Sequence, residues 1–136
     1  MTDINAAIAA AASGMRAQTV RMRIAAENVA NANSTGTNPN EDPFRRRIPL
    51  LETTTLASGA RGVRVSGAQL DMSDFREEYN PSHPAADTNG YVHLPNVDTL
   101  VEMMDLREAT RAYEANLNMI EAARTMTTRA LDLLRR

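Results

Sequence analysis

The last third of the chain, from Asn96 to Arg136, contains neither glycine nor proline. Residues that favour helices fill this stretch, and Pro95 directly precedes it, so the sequence predicts one long C-terminal α-helix. At 1.5 Å per residue this helix would be about 60 Å long. Acidic residues occur early in it and arginines occur late, which is the order that suits the helix dipole.

Two apolar seams run along this predicted helix, each stepping by three and four residues. That spacing is typical of coiled coils. A helix pair needs only one such seam, so two adjacent seams predict a helix that packs on its partner and also on neighbouring subunits. A helix inside an ordinary bundle is the plainer alternative. The seam with the larger side chains contains Tyr113, Leu117, Ile120, Leu131 and Leu134. The smaller and flatter seam contains Ala109, Ala112, Asn116, Met119, Ala123, Met126 and Ala130.

We assign the larger seam to packing within the chain and the smaller seam to subunit–subunit packing. Small residues allow close approach of another helix, and methionine adapts to inexact neighbours. The intramolecular partner is a second long helix, predicted from Thr2 to about Asn33. Its heptad seam includes Ile8, Met15, Met22 and Val29. Gly14 within this helix indicates either simple tolerance or a close approach by another backbone.

Composition narrows the possible functions. The length of 136 residues suits one domain, and the net charge of -2 provides no field that would draw the chain to nucleic acid or a membrane. The chain has no cysteine, so a disulfide or thiolate site is excluded. Aromatic residues make up only 4%, which favours thin helical seams over a thick core. No signal peptide or membrane-spanning stretch is evident.

The middle of the chain, residues 34–95, is predicted to be a small outer domain of extended loops with a β-hairpin. Two strands, Phe44–Thr54 and Gly62–Asp71, are joined through a glycine-containing turn. Pro49 makes the first strand an edge strand or a bulged one. The triplet Arg45–Arg47 is interpreted as a solvated strand edge rather than a nucleic-acid patch.

Catalysis has no support in the sequence. His83, Asp87 and His93 match no metal site by their spacing, and no nucleophile stands beside a base. We therefore expect no enzyme activity, no metal and no cofactor. A hydrolase that uses His83 or His93 is the enzyme alternative.

Several short motifs are similar to those of one known family. Ser13-Gly-Met-Arg-Ala-Gln is followed by Ala26-Glu-Asn-Val-Ala-Asn-Ala-Asn-Ser-Thr-Gly36, and Tyr79-Asn-Pro-Ser-His-Pro-Ala-Ala-Asp87 by Gly90-Tyr-Val. Over nearly its whole length the chain resembles the flagellar rod, hook and hook-associated family, and in particular its short proximal-rod members. The motif residues are Asn28, Asn31, Asn33, Gly36, Tyr79, Pro81, His83, Pro84, Asp87, Gly90, Pro95 and Asn96.

The resemblance implies a mainly α fold with a small β element. The terminal segments, 1–33 and 96–136, would pair as a coiled coil, and residues 34–95 would form the outer domain. It also implies a structural subunit of the proximal rod of the bacterial flagellar basal body, which polymerises into a helical tube and transmits torque. Its partners would be its own copies, the other proximal- and distal-rod proteins, the basal-body adaptor at the export gate, and the flagellar type III export apparatus.

The same resemblance places the protein in the rod within the periplasmic space, exported without a cleaved signal peptide. A coiled-coil adaptor that binds partner helices outside a flagellum is the alternative. Such an adaptor would share both seams but would not need the Asn-Ala-Asn-Ser-Thr-Gly motif.

Overall fold

The computed structural model describes residues 2–136. The first and last elements of the chain are long helices, and two separate antiparallel hairpins lie between them in the sequence. The expectation of a mainly helical fold with a small β element is confirmed. The elements are α1 (Thr2–Ala30), β1 (Arg47–Thr55), β2 (Arg61–Leu70), β3 (Arg76–Tyr79), β4 (Tyr91–Leu94) and α2 (Thr99–Leu134).

Helices α1 and α2 pack against each other in opposite directions. Asn28, near the end of α1, lies beside Glu102 at the start of α2, with Nδ2 and Oε2 3.3 Å apart. Further along, Thr110 Oγ1 lies 3.6 Å from Met22 Sδ. Because α2 has 36 residues and α1 has 29, this antiparallel register leaves the last turns of α2 beyond the start of α1.

The ends of both helices differ slightly from the predicted ones. Helix α1 stops at Ala30 rather than at residue 33, and Asn31 Nδ2 donates to the Glu27 carbonyl at 2.9 Å. Helix α2 begins at Thr99 rather than at Asn96, because the Asp98 side chain accepts from the Leu100 N–H and caps the first turn.

Strands β1 and β2 form the predicted hairpin. The register shifts between Leu50 and Leu51, which pair with Gly67 and Val65. The extra residue is Ser66 on β2, whereas Pro49 pairs regularly with Ala68. Of the two alternatives for the strand that contains Pro49, the structure therefore shows the edge strand, because the sheet has two strands. The hairpin rests on α1, where Ser13 Oγ accepts from the Val63 N–H at 3.1 Å.

A second hairpin, β3–β4, was not predicted, because the sequence between its strands contains two prolines and reads as extended chain. Its turn is fixed by Asp87, whose Oδ1 accepts from the N–H groups of Asn89 and Tyr91 at 2.9 Å each. Gly90 adopts a φ of 85°, a conformation that favours glycine. The Tyr79 and Tyr91 rings then meet edge to face at 5.4 Å.

The apolar interior of the chain is thin. Most of its fully buried apolar residues are alanines, whereas many leucines and methionines are exposed. The core residues are Ala11, Ala17, Ile24, Ala25, Ala32, Ala85, Val92, Val97, Ala109 and Ala123. A chain that buries alanine and exposes leucine has apolar surface left over for contacts with other molecules.

Candidate assembly surface and buried junction

The face of α2 that packs on α1 draws on both predicted seams in alternation. Ala109 and Ala123, from the smaller seam, are buried. Tyr113 and Ile120, from the larger seam, are half-buried between them. The facing positions step by four and three residues and are Glu102, Leu106, Ala109, Tyr113, Asn116, Ile120, Ala123 and Thr127. On α1, the predicted residues Ile8, Met15, Met22 and Val29 are all half-buried.

The predicted division between the two seams is therefore wrong at several positions. Leu117, Leu131 and Leu134, assigned to packing within the chain, are 38%, 50% and 83% exposed. Leu117 lies one residue off the facing seam, and the other two lie where α2 extends past α1. Conversely, Ala123, assigned to subunit contacts, is only 6% exposed.

Asn116 also packs within the chain rather than on the outer surface of α2. A Cβ added to Gly14 would lie 2.6 Å from Asn116 Nδ2, so the two helices approach closely at this point. Of the two interpretations of Gly14, the structure supports close approach of another helix.

An exposed apolar face, which we call the outer stripe, runs along α2 beside the face that packs on α1. At 100° per residue its members share one side of the helix. Met119 and Met126 at its centre are 55% and 61% exposed. Glu108 is the charged residue within the stripe. The outer stripe consists of Val101, Met104, Ala112, Ala115, Met119, Ala122, Met126, Ala130 and Leu133. Exposed apolar surface of this extent is typical of protein–protein contact sites.

The start of the outer stripe is held in place by a buried junction that begins at Asn28. The Asn28 amide pairs with the Arg47 backbone as a peptide group would: Nδ2 donates to the carbonyl at 2.9 Å, and Oδ1 accepts from the N–H at 3.1 Å. Nδ2 also reaches Glu102 Oε2 at 3.3 Å. Glu102 is 1% exposed although it is acidic, so it needs a charged partner.

Arg46 is that partner. Its Nε donates to Glu102 Oε1, and its two terminal nitrogens lie 3.4 Å from Asp71 Oδ2 and from Asp105 Oδ2. Burial works to lower the pKa of the Arg46 guanidinium, but the hydrogen bond and charge of Glu102, followed by those of Asp71, raise it above its ordinary value. The guanidinium therefore stays charged inside the junction.

Asn96 and Arg45 complete the junction from the side of the hairpins. Asn96 Oδ1 accepts from the Arg46 N–H at 2.8 Å, and Nδ2 donates to the Asp71 carbonyl at 2.9 Å. Arg45 Nη1 donates to the same carbonyl at 2.8 Å, while its guanidinium lies 4.1 Å from the centroid of the Phe75 ring. The interpretation of Arg45–Arg47 as a solvated strand edge is thus wrong for Arg46, whose side chain is 19% exposed.

The sequence contained one signal for this junction. Glu102 lies four residues before Leu106, at a position of the seam that faces α1. A carboxylate on a buried seam requires a basic or hydrogen-bonding partner. The arginine triplet Arg45–Arg47 could supply such a partner.

Most of the remaining motif residues shape loops. His83 Nδ1 accepts from the Ala85 N–H at 3.0 Å, and a Cβ on Gly36 would lie 2.6 Å from the Glu41 carbonyl oxygen. Pro95 is buried, whereas Asn33, Pro81 and Pro84 are exposed. His93 Nδ1 lies 3.8 Å from Glu77 Oε1. Across residues 2–136, no group of three or more His, Asp or Glu side chains is arranged to hold a metal ion.

Enlarging Ala123 is expected to destabilise the single chain. Ala123→Leu forces extra side-chain volume into the seam that faces α1, at a cost of about 1–3 kcal/mol. Ala122→Leu is the matched control, because Ala122 is exposed on the outer stripe. The denaturant midpoint of each purified variant, followed by circular dichroism, gives the comparison. Equal midpoints for the two variants would contradict the observed packing.

Acid is expected to weaken the junction through Asp71. The Ser73 backbone N–H, followed by the Ser73 hydroxyl and then Arg46, lowers the pKa of Asp71 below its ordinary value of 3.8. The unfolded chain therefore takes up this proton first as the pH falls. The stabilisation is complete above pH 3.8 and is lost as the pH falls through the lower pKa of the folded state.

Asp71→Asn should remove this pH dependence together with about 0.5 kcal/mol of stability at neutral pH, a small value because the carboxylate is close to solvent. Denaturant midpoints measured from pH 7 down to acid would show it. Asp74→Asn, an exposed neighbour, is the control. If the denaturant midpoint of Asp71→Asn fell with pH in acid as steeply as that of the unaltered chain, this role for Asp71 would be refuted.

Known proteins similar to this chain were found by two kinds of comparison. The family described as "Flagellar basal body rod FlgEFG protein C-terminal" matches residues 88–133, which include β4 and almost all of α2. Several flagellar basal-body rod proteins FlgC align with nearly the whole chain.

The FlgC protein of Agrobacterium fabrum is 45% identical over 136 residues, covering 99% of this chain and 98% of the relative. The FlgC of Bacillus subtilis is 38% identical, with 90% and 92% covered. The FlgC of Aquifex aeolicus is 35% identical, with 97% and 98% covered. With this degree of identity over almost its full length, and with two terminal helices that leave an apolar stripe exposed, the chain belongs to the FlgC family of flagellar basal-body rod proteins and is a structural subunit of the rod.

Proposed function

We propose that the chain polymerises into the helical tube of the proximal rod, with the outer stripe of α2 as its main surface for contacts with other subunits. The exposed row of methionine and alanine along α2, with Met119 and Met126 at its centre, is the observation that carries this proposal. The stripe extends over about 48 Å from Val101 to Leu133, at 1.5 Å per residue.

The chemistry of the stripe suits contact with several different neighbours. Its alanines allow another helix to approach closely, and its methionines adjust their shape to inexact partners. In the proposed tube the stripe meets a different face of the next subunit, because pairing of two stripes would close into a dimer and end the assembly. Heterologous contacts that do not close on themselves generate helical assemblies such as tubes.

Torque transmission would follow from the packing of such subunits, without reaction chemistry. Long helices are stiff because their backbone hydrogen bonds are internal. The heptad steps on the facing sides of α1 and α2 support a coiled-coil pairing of the two helices. The chain then divides into a terminal helical domain, residues 1–33 and 96–136, and an outer domain, residues 34–95.

The proposed partners are the chain's own copies, the other proximal- and distal-rod proteins, the adaptor at the export gate and the type III export apparatus. The proposed location is the rod within the periplasmic space, reached without cleavage of a signal peptide. The support comes from the resemblance to the family and from the names of the relatives. Within residues 2–136, neither helix has a stretch that is long and apolar enough to cross a bilayer.

No enzymatic role is proposed. His83 and His93 take part in local contacts, the first within a turn and the second beside Glu77 and Phe75. The alternative function, a coiled-coil adaptor outside a flagellum, would also use the outer stripe. It predicts a discrete complex with a partner helix instead of incorporation into a basal body.

Genetic deletion combined with isolation of basal bodies tests the proposal. Cells that lack the chain should be non-motile, and expression of the full chain should restore both motility and complete basal bodies that contain it. Motile cells after deletion would refute a rod function. A discrete soluble complex, with no chain in the basal bodies of the complemented cells, would favour the adaptor.

A further inference from the structure

We propose that Asn28, Arg46 and Glu102 act as a lock that fixes the β1–β2 hairpin on the helix pair and carries load between these two parts of the subunit. The inference rests on the proposed role in torque transmission. These three residues position the hairpin on the helix pair, whereas the outer stripe makes the contacts between subunits.

The lock is the direct connection between the hairpin and α2. In the part of the chain that the structure describes, no Cα atom of β1 or β2 lies within 8 Å of a Cα atom of α2, whereas both strands come that close to α1. Arg46, immediately before β1, reaches across to Glu102 and Asp105 on α2. A displacement of the hairpin relative to α2 therefore has to break these contacts.

Asn28 supplies the second connection, and its geometry is specific to asparagine. The amide donates to and accepts from the backbone of Arg47, so it acts as an additional strand residue at the base of the hairpin. An aspartate would lose the donor and place a second negative charge beside Glu102. A glutamine would be one methylene too long for the same pair of bonds.

Burial makes the lock sensitive to the loss of any one of its three members. The Glu102 side chain is enclosed, and removing one partner of a buried ion pair leaves the other uncompensated. The contacts also join positions far apart in sequence, since 56 residues separate Arg46 from Glu102 and 74 separate Asn28 from Glu102. The contacts of the lock therefore join α1, α2 and the start of the hairpin in one place.

The chain offers a matched control. Arg64 and Glu52 form a similar ion pair on the hairpin itself, but their side chains are 64% and 42% exposed. An exposed pair of this kind contributes little, and it does not connect the hairpin to either helix. Glu52→Gln therefore makes the same chemical change as Glu102→Gln without touching the lock.

A disulfide can report the position of the hairpin. A Cβ added at Gly62 would lie 2.6 Å from Ser13 Oγ and 2.9 Å from Leu56 Cδ1. The end of the Leu56 side chain has to shift to admit it, and cysteines at positions 13 and 62 are then within reach of each other. The chain contains no other cysteine. The full chain carrying Ser13→Cys and Gly62→Cys is assembled in cells, basal bodies are isolated, and the initial rate of disulfide formation is measured with added oxidant.

Glu102→Gln in this background should lower the initial rate about tenfold. Glutamine has one acceptor oxygen and cannot serve Arg46 Nε and Asn28 Nδ2 together, so the Asn28 amide, which holds the base of the hairpin on α1 through Arg47, loses its fixed position. Glu52→Gln should leave the rate unchanged. Cells carrying Glu102→Gln without the cysteines should also swim more slowly in viscous medium than cells carrying Glu52→Gln. An unchanged rate of disulfide formation, or equal swimming in viscous medium, overturns the lock.

If Glu102→Gln prevents rod assembly, Arg46→Lys provides the measurement, because lysine keeps the positive charge but cannot reach Glu102, Asp71 and Asp105 at the same time. A lowered rate then supports the lock, and an unchanged rate overturns it. Failure of the proposed function gives a different result. In that case the unaltered chain would be absent from basal bodies, whereas failure of the lock alone would leave it present with unchanged disulfide rates.

Discussion

Cells that carry both Met119→Asp and Met126→Asp are expected to build no rod and to be non-motile. Each aspartate would place an unpaired charge in a contact between subunits, and the penalty for burying such a charge amounts to several kcal/mol. The penalty recurs at every copy in the assembly. Because both positions are exposed in the single chain, the packing of α2 on α1 should not change.

Circular dichroism of the purified double variant should match that of the unaltered chain, and isolation of basal bodies should recover no complete rod. Asn118→Asp is the control, since Asn118 is exposed next to Met119 but lies off the outer stripe. Normal rods in the double variant would show that the outer stripe is not a subunit contact.

The second large effect is expected at Glu102. Glu102→Ala leaves the Arg46 guanidinium and the Asn28 amide without their shared acceptor, and should cost about 2–3 kcal/mol of unfolding free energy. The value is below that of a fully enclosed pair because Arg46 keeps contacts with Asp71 and Asp105. Denaturant unfolding of the purified chain measures this loss.

Glu108→Ala is the matched control for Glu102→Ala. Glu108 is largely exposed, and its nearest charged partner, Arg21, is 3.9 Å away, so this change should cost little. A further variant distinguishes charge from packing: Glu102→Leu with Arg46→Met removes both charges and should be more stable than Glu102→Ala. Equal stability of Glu102→Ala and Glu108→Ala would contradict the junction as described.

Local signals in the sequence were sufficient to predict the main elements. The stretch without glycine or proline after Pro95 indicated α2, and alternation around Val63 and Val65 indicated the first hairpin. Pro49 was compatible with an edge strand, and Gly14 allowed for the close approach of α2. Each of these features depends on residues that are close together in the sequence, so it can be recognised without knowledge of the tertiary contacts.

Features that depend on contacts between distant residues could not be predicted in the same way. Both seams of α2 have heptad spacing, and the choice between them depends on the register against α1, which the contacts of Gly14 with Asn116 and of Asn28 with Glu102 determine. The spacing shows that apolar seams exist on α2 but not which side of α2 faces α1. Several residues of α2 were therefore assigned to the wrong kind of contact: some predicted to pack within the chain are exposed, and some predicted to contact neighbours are buried.

The role of Arg46 was missed for the same reason. Its partners lie on the loop after β2 and on α2, and no short motif connects them. The second hairpin was missed because its two strands have only four residues each and are separated by a loop that contains two prolines.

Cysteine crosslinking in isolated basal bodies tests the assembly surface most directly. The chain has no cysteine, so two double-cysteine variants can be compared, one with cysteines at positions 8 and 119 and one with cysteines at positions 8 and 123. Position 123 should link to position 8 within one chain, and position 119 should link to neighbouring subunits. Position 123 linking to neighbours, or position 119 remaining open to solvent in assembled rods, would contradict the outer stripe as the surface through which the subunits meet.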